Sequence, residues 1–331
     1  MKTAVVILNW NGIKLLEEFL PGVVTHSLPI AEVFVIDNAS TDGSVSFIQQ
    51  NFPQVKVIQN NSNGGYAKGY NEGLKHIKAD LYVCLNSDVE VTQNWLPPII
   101  AQFEKTPQLA VAQPKIRDYR NRKYFEYAGA AGGFIDRYGY PFCRGRIFNS
   151  LEKDTGQYDG IAKIFWASGA CLFVRSKAFW KAGGFDEDYF AHQEEIDLCW
   201  RLYNMDYKAV CVGTSVVYHL GGGTLKNTSP RKTFLNFRNS LFNLLKNTPP
   251  PKRFQIIFTR LILDAIAGIQ FLLTFKFLHF IAILRAHFSF YALFSKIFNK
   301  RKHLIKKSHY YRCKSIVFLY FVRNVKKFNK V

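Results

Sequence analysis

Glu32-Val33-Phe34-Val35-Ile36 followed by Asp37-Asn38-Ala39-Ser40-Thr41-Asp42-Gly43 decides the fold. A short β-branched and aromatic run stops at a carboxylate, enters a polar loop, and passes into a helix predicted over 44–51. The same unit precedes it. Ala4–Leu8 ends at Asn9-Trp10-Asn11-Gly12, and helical apolar spacing over Ile13–Leu20 is expected to stop at Pro21. It also follows. Val55–Gln59 reads as a strand, Gly69–Lys78 as a helix, and Leu81–Leu85 as a strand ending at Asn86-Ser87-Asp88. Strands alternating with helices over the first ninety or so residues imply an α/β fold with a doubly wound, mostly parallel sheet. In such a sheet ligands lie at the carboxyl ends of the strands, where the polar residues of this chain collect. Residues 110–165 are less regular and read as strands and loops, with turns at Gly132-Gly133 and Gly139-Tyr140-Pro141.

The 331 residues suffice for one large domain or two smaller ones. Their net charge of +20 is unevenly distributed. Residues 226–331 hold 22 Lys and Arg against one acid, Asp264, leaving 22 basic and 23 acidic side chains in residues 1–225. The chain is thus a neutral domain with a basic tail, and Thr248-Pro249-Pro250-Pro251 marks the boundary between 1–247 and 248–331. Six Cys without a CxxC pair read as buried reduced thiols. Together with an N-terminal apolar run too short for a secretory signal, they favour the cytoplasm.

Several residues carry candidate chemistry. Asp37 at a strand end can accept hydrogen bonds from a ribose or base edge, although its loop equally suits a helix cap. Asn60-Asn61-Ser62-Asn63-Gly64-Gly65-Tyr66-Ala67-Lys68-Gly69 is a glycine-rich entry to a helix whose amides, with Lys68, can face a diphosphate. It is not GxGxxG and follows the third strand, which counts against a dinucleotide-dependent dehydrogenase. Asp88 in its turn can hold Mg²⁺ or Mn²⁺ through oxygen ligands shared with a diphosphate.

His192-Gln193-Glu194-Glu195-Ile196-Asp197-Leu198-Cys199-Trp200-Arg201 packs three acids into four positions of an apolar stretch. Mutual repulsion raises the pKa of neighbouring carboxylates and poises one as a proton acceptor. An acidic first turn complementing the helix dipole is the competing reading. Helical spacing puts Glu194 and Asp197 on one face and Glu195 elsewhere. His219, after the strand-like Ser215–Tyr218 and before Gly221-Gly222-Gly223, can join Asp88 on a metal.

In the tail, Asp264 and Lys276 bracket only eleven uncharged residues, short of the roughly twenty a spanning helix requires. Arg260 and Asp264 lie four apart and can pair. Phe, Leu and Ile interleaved with Lys296, Lys300, Arg301, Lys302, Lys306 and Lys307 predict amphipathic helices on an anionic membrane surface. The same apolar faces could instead complete the core of the preceding domain.

Six ordered blocks carry a resemblance to glycosyltransferase family 2, the inverting GT-A enzymes, and to its rhamnosyltransferase-like bacterial members. They are Val6–Asn11, Val35–Gly43, Asn63–Asn71, Leu85–Asp88, Gly183–Glu187 and Glu194–Arg201, within a match over residues 3–225. The resemblance implies a donor half over about 1–110 and an acceptor and base half over about 111–247. It implies that Leu8, Asn9, Asp37, Lys68, Gly69, Asn71, Asn86 and Ser87 line a nucleotide-sugar site. Asp88 and His219 would bind the metal, with Asn86 standing where the family's Asp-x-Asp motif has its first Asp. Glu195 would be the catalytic base, with Glu194 as rival and Asp197 beside them. Trp166, Gly169 and Asp186 would face a lipid-linked or saccharide acceptor, Gly169 by allowing close backbone approach.

The activity so implied is sugar transfer with inversion at the cytoplasmic face of the plasma membrane, in cell-surface polysaccharide or lipopolysaccharide assembly. Two other classes compete. A nucleotidyltransferase on a related sheet would share the metal and donor site but release pyrophosphate. A nucleic-acid-binding protein would use the basic tail, yet that tail is too hydrophobic for a solvated arm, so no nucleic-acid partner is expected.

Overall fold

The computed structural model describes residues 1–28, 30–221, 229–301 and 306–331. Its first four large strands are β1 (Thr3–Asn9), β2 (Glu32–Asp37), β3 (Lys56–Gln59) and β4 (Leu81–Asn86). They lie parallel in the order β3-β2-β1-β4, joined through helices α1 (Ile13–Ser27), α2 (Ser44–Asn51) and α3 (Gly65–Leu74). Buried on both faces, β1, β2 and β4 read as continuous apolar runs rather than alternating ones.

After β4 come a short β5 (Val89–Val91), helix α4 (Pro97–Lys105) and the long strand β6 (Leu109–Asp118). The irregular stretch forms a separate small antiparallel sheet of β7 (Gly133–Ile135), β8 (Pro141–Cys143), β9 (Arg146–Ile147) and β10 (Ser150–Leu151). The chain then rejoins the main sheet through β11 (Ile161–Lys163), β12 (Cys171–Arg175) and β13 (Lys208–His219). β12 runs antiparallel between β4 and β6, so the sheet is mixed beyond its parallel first half. Helices α5 (Ser176–Lys181) and α6 (Glu194–Asn204) fill the path from β12 to β13. Separate apolar clusters cover the two faces of the main sheet, as the doubly wound reading requires. All six cysteines are free, five of them buried.

Some predicted bounds move. Helix α1 runs through Pro21 to Ser27 instead of stopping there. Proline forfeits one backbone bond, and here the exposed position leaves the freed carbonyl to solvent while Leu20, Val23 and Val24 pin the following turn into the core. Helix α3 starts four residues before the predicted Gly69, because Gly65 adopts a left-handed φ of 77° that turns the chain into the helix.

The segment beyond 229 forms α7 (Pro230–Asn247), α8 (Arg253–Leu273), α9 (Phe277–Ala292), α10 (Phe294–Asn299) and α11 (Ile316–Phe321). Pro249 to Pro251 separate α7 from α8 where the boundary was drawn. The tail is nevertheless fastened to the rest of the chain. Ile256, Ile257, Phe290, Ile297 and Tyr310 join the main core, and Ile316 packs with Phe142 and Ile147 of the small sheet. The paired Arg260 and Asp264 were foreseen, at 2.7 Å.

Candidate active site

Polar residues gather where the parallel strands end. Asp37 is fully buried; its Oδ1 accepts from Asn9 Nδ2 at 2.9 Å and its Oδ2 from the Ser40 amide at 2.8 Å. Asn38 links the next two loops by accepting from Asn60 Nδ2 at 2.7 Å and donating to the Gly65 carbonyl at 3.1 Å. A Cβ on Gly69 would sit 2.6 Å from the Asn38 amide, so this glycine permits the loop to close on the helix. Leu8 packs its side chain against the same spot.

The expectation that the α3 amides face a diphosphate is not met. The amides of Tyr66 and Ala67 both donate to the Phe190 carbonyl, at 2.8 and 3.4 Å. A main-chain carbonyl from the loop before α6 takes the place an anion would occupy. Lys68 instead points along its helix to Glu72, 3.5 Å away, and both are substantially exposed. Asn71 is also spent on structure. Its Oδ1 accepts from the Phe185 amide at 2.9 Å, and its Nδ2 donates to the Phe185 carbonyl at 2.8 Å.

Asp88 follows β4 in the turn that carries Asn86 and Ser87. β13 pairs with β5 and β6 and so carries His219 to Asp88 across 131 residues of sequence, with His219 Nε2 3.1 Å from Asp88 Oδ1. Asn86 Nδ2 lies 3.5 Å from the same nitrogen. The other ring nitrogen, Nδ1, faces Glu126 Oε1 at 3.2 Å. Burial opposes charge on His219, yet Glu126 and Asp88 outweigh it and raise its pKa to about 10. Glu126 was not singled out in the sequence, where it stands in an irregular stretch with no acidic neighbour or motif.

Among the described residues no three or more His, Cys, Asp or Glu side chains form a metal cage. Two protein ligands suit a hard divalent ion that takes its remaining ligands from water and phosphate. Asp88 Oδ1 and His219 Nε2 would supply such a pair once an ion displaces the proton that the two carboxylates hold on Nε2, and Glu126 is placed as the outer carboxylate that commonly orients a ligating imidazole. Gly222 and Gly223 of the glycine stretch, like Lys302 of the tail, lie outside the described residues.

The acid cluster opens α6. Phe190, His192 and Gln193 all hold positive φ, 64°, 68° and 73°, an uncommon conformation for non-glycine residues that costs energy. Helix α7 holds this loop in place. Asn239 Nδ2 donates to the carbonyls of Tyr189, Ala191 and His192 at 3.0, 3.0 and 2.7 Å, and Arg238 donates to those of Asp188 and Tyr189. Asn239→Ala is expected to lower stability by about 1 kcal/mol per lost hydrogen bond, together with turnover, while donor affinity persists. Thermal melting beside donor calorimetry checks this.

Beyond that loop the three acids separate by environment. Glu194 is 4% exposed, and burial, reinforced by Glu195, lifts its carboxyl well above the ordinary range. Glu195 remains partly accessible; burial lifts it to about 7, against backbone hydrogen bonds at the helix start that pull it down. Glu194 Oε2, Glu195 Oε2 and His192 Nε2 have no hydrogen-bond partner among the described residues. Such orphaned buried atoms are the pattern expected where a substrate completes the hydrogen bonding.

Asp197 is different. It accepts from Arg201 Nε at 2.7 Å, Lys246 Nζ at 2.8 Å and Asn247 Nδ2 at 2.9 Å; burial opposes its charge, yet the Arg201 and Lys246 cations hold its pKa down. Asp186, expected at the acceptor, shares Lys246 at 2.6 Å and also meets Lys300. Both acids therefore belong to a buried ion cluster that ties α6 and α7 to Lys300 at the end of α10, not to the open part of the site. Trp166 is likewise a wall, buried with its Nε1 donating to the Phe134 carbonyl at 2.9 Å. At Gly169 the close approach comes from the Tyr66 hydroxyl, which donates to the Gly169 carbonyl at 2.9 Å. Glu194 and Glu195 both raise the Tyr66 pKa behind its burial, and both Glu126 and Glu195 act on Cys143.

A mixed sheet with a wholly parallel first half, a carboxylate turn after its fourth strand and a carboxylate pair at the start of α6 agree with a GT-A glycosyltransferase fold. Residues 4–183 match the family described as Glycosyl transferase family 2, and the chain belongs to that family. It is 26% identical over 218 residues to the N-acetylglucosaminyl-diphospho-decaprenol L-rhamnosyltransferase of Mycobacterium tuberculosis, covering 62% of this chain and 71% of that one. Among solved structures, GalNAc-T7 with UDP, GalNAc and Mn²⁺ superposes with a TM-score of 0.59 at 18% identity, over 76% of this chain and 48% of that one. The Pyrobaculum calidifontis mannosyltransferase PcManGT, in complex with GDP-Man and Mn²⁺, gives 0.54 at 16% identity over 89% and 75%.

Proposed function

We propose that this glycosyltransferase is a metal-dependent, inverting enzyme that moves a hexosyl or rhamnosyl unit from a nucleotide-diphosphate sugar to an acceptor hydroxyl. The observation that carries this reading is the asymmetry of the carboxylate pair. Glu194 is sealed in and its carboxyl is lifted well above the ordinary range, whereas Glu195 is partly accessible and is lifted to about 7, as suits a general base. Glu195 would take the proton from the acceptor hydroxyl as that oxygen bonds to the anomeric carbon and the nucleoside diphosphate departs with the bonding electrons. No covalent sugar–enzyme intermediate is required.

Asp88 and His219 would hold Mg²⁺ or Mn²⁺, an ion that neutralises charge on a departing diphosphate when bound. Glu126 would fix the orientation of the His219 ring, and Asn9 and Ser40 that of Asp37 toward the nucleoside. The Mn²⁺ of GalNAc-T7 and PcManGT supports a divalent ion of this kind. A lipid-linked acceptor in cell-surface polysaccharide or lipopolysaccharide assembly agrees with the decaprenol-linked substrate named for the mycobacterial relative. Nucleotide-sugars are made in the cytoplasm, and the basic tail would attach the enzyme peripherally to that face of the inner membrane.

Incubating the purified protein with a panel of nucleotide-sugars, with and without divalent ions, tests the reading. Release of a nucleoside diphosphate from one donor is expected. Release of pyrophosphate from a nucleoside triphosphate and a sugar phosphate would identify a nucleotidyltransferase instead.

A further inference from the structure

Helices α8 and α9 form a hairpin with two unlike faces. Toward the protein, α8 buries Arg253, Ile256, Ile257, Arg260, Asp264 and Gly268, one residue every three to four positions. Arg260 anchors this side, with Nε on Asp264, Nη1 on the Tyr138 carbonyl and on the Ser240 hydroxyl of α7. Away from the protein, Phe254, Phe258, Ile262, Ile266 and Ile269 repeat at the same period, all exposed. The apolar surface continues round the turn at Leu273 and Phe275, 75% and 81% exposed, to Phe277 and Leu278. It returns along α9 through Ile281, Leu284, Phe288 and Tyr291. Soluble monomers rarely leave so large a continuous apolar area in water.

The charges beside this face have one sign. Lys252, Lys276 and Arg285 are exposed at the start of the hairpin, at its turn and midway along the return helix. The one acid of residues 226–331, Asp264, is wholly buried. An apolar face flanked by cations complements the acyl region and anionic headgroups of a bilayer. It is a poor match for a second copy of the same face, where the cations would meet each other.

By length and composition alone, the 24 residues Pro250–Leu273, which contain an 18-residue window of mean hydropathy 1.9, are long and apolar enough to cross a membrane. The eleven uncharged residues between Asp264 and Lys276 understate this length, because Asp264 interrupts the run by charge alone. Arg260 and Asp264 neutralise each other, so the apolar stretch is longer than the charge spacing implied. We infer that the α8–α9 hairpin lies in the plane of an anionic bilayer as a monotopic wedge, its outer face among the lipids and its inner face on α7. Crossing the bilayer would strip Arg260 and Asp264 of Tyr138, Tyr140 and Ser240, and the buried residues of α8 extend from Arg253 to Gly268 along the protein. The other side of α7 carries the Asn239 and Arg238 clamp on the loop before Glu195. An amphiphilic acceptor held in the same bilayer would therefore meet the enzyme beside the element that positions its base.

This inference deepens the peripheral attachment proposed above, and its test is independent of sugar transfer. Full-length protein is sedimented with phosphatidylcholine vesicles, with and without phosphatidylglycerol, across a salt series. The Phe275→Asp/Phe288→Asp double variant alters two highly exposed side chains, and thermal melting verifies its fold. The wild type is expected to sediment with anionic vesicles and to retain a salt-resistant fraction. The variant should lose that fraction, with partitioning reduced about tenfold or more. Equal sedimentation of the two proteins would overturn the inference. So would a wild type that stays in the supernatant as a dimer which the variant dissociates. Labelling of a Phe275→Cys protein by a thiol reagent confined to the vesicle lumen would show a spanning hairpin and overturn the in-plane arrangement.

Discussion

Glu195→Gln is expected to lower turnover by about 10²–10⁴-fold while leaving donor affinity nearly unchanged, because only proton removal from the acceptor is lost. Isothermal calorimetry with the donor beside a rate measurement separates the two effects. In the wild type, turnover should rise with pH and level off above about 7, where burial has placed the Glu195 carboxyl. The variant should lack this limb. If Glu194→Gln is the inactive protein and Glu195→Gln retains activity, the roles are exchanged.

The same substitution has a second consequence with a defined sign. The folded protein raises Glu195 from 4.5 to about 7, so between those values the folded state binds more protons than the unfolded one. Stability from this group is complete below 4.5 and falls as pH rises toward 7. Gln does not titrate. Relative to wild type, Glu195→Gln should therefore gain stability between pH 5 and pH 8, by up to about 3 kcal/mol. Denaturant melts at the two pH values would show it. An equal difference at both would mean that Glu195 is ordinary in the folded state.

Asp88→Ala is expected to cut transfer steeply without unfolding the protein. Loss of the best-placed oxygen ligand would remove on the order of 4 kcal/mol of charge stabilisation from the reaction, a rate loss of about 10³-fold. Excess EDTA should do the same to the wild type, with activity restored by Mg²⁺ or Mn²⁺. Undiminished turnover in EDTA would end the metal-dependent reading. Glu126→Gln offers an intermediate case, because it leaves Asp88 and His219 in place and changes only the group facing His219 Nδ1. A loss of about 10–100-fold in metal affinity is expected, measured by Mn²⁺ titration.

Local order in the sequence determined the parallel half of the sheet. Runs such as Val33–Ile36 and Leu81–Leu85 are apolar on both faces because those strands are covered on both sides, and the residues that end them are the ones the topology collects. The polar turn at Asp88 and the acidic helix start at Glu194 were legible for the same reason: each is a charge where the neighbouring pattern is apolar. What such patterns cannot carry is partnership across long distances in the chain. Glu126 beside His219, Lys246 beside Asp197 and the Phe190 carbonyl on the α3 amides are separated by 49 or more residues. Only the tertiary structure decided which of the three clustered acids is neutralised by cations, which is sealed in and which stays partly accessible. Burial and charge partners set these properties, and both are created when the sheet brings β13 and α7 to the ends of the first strands.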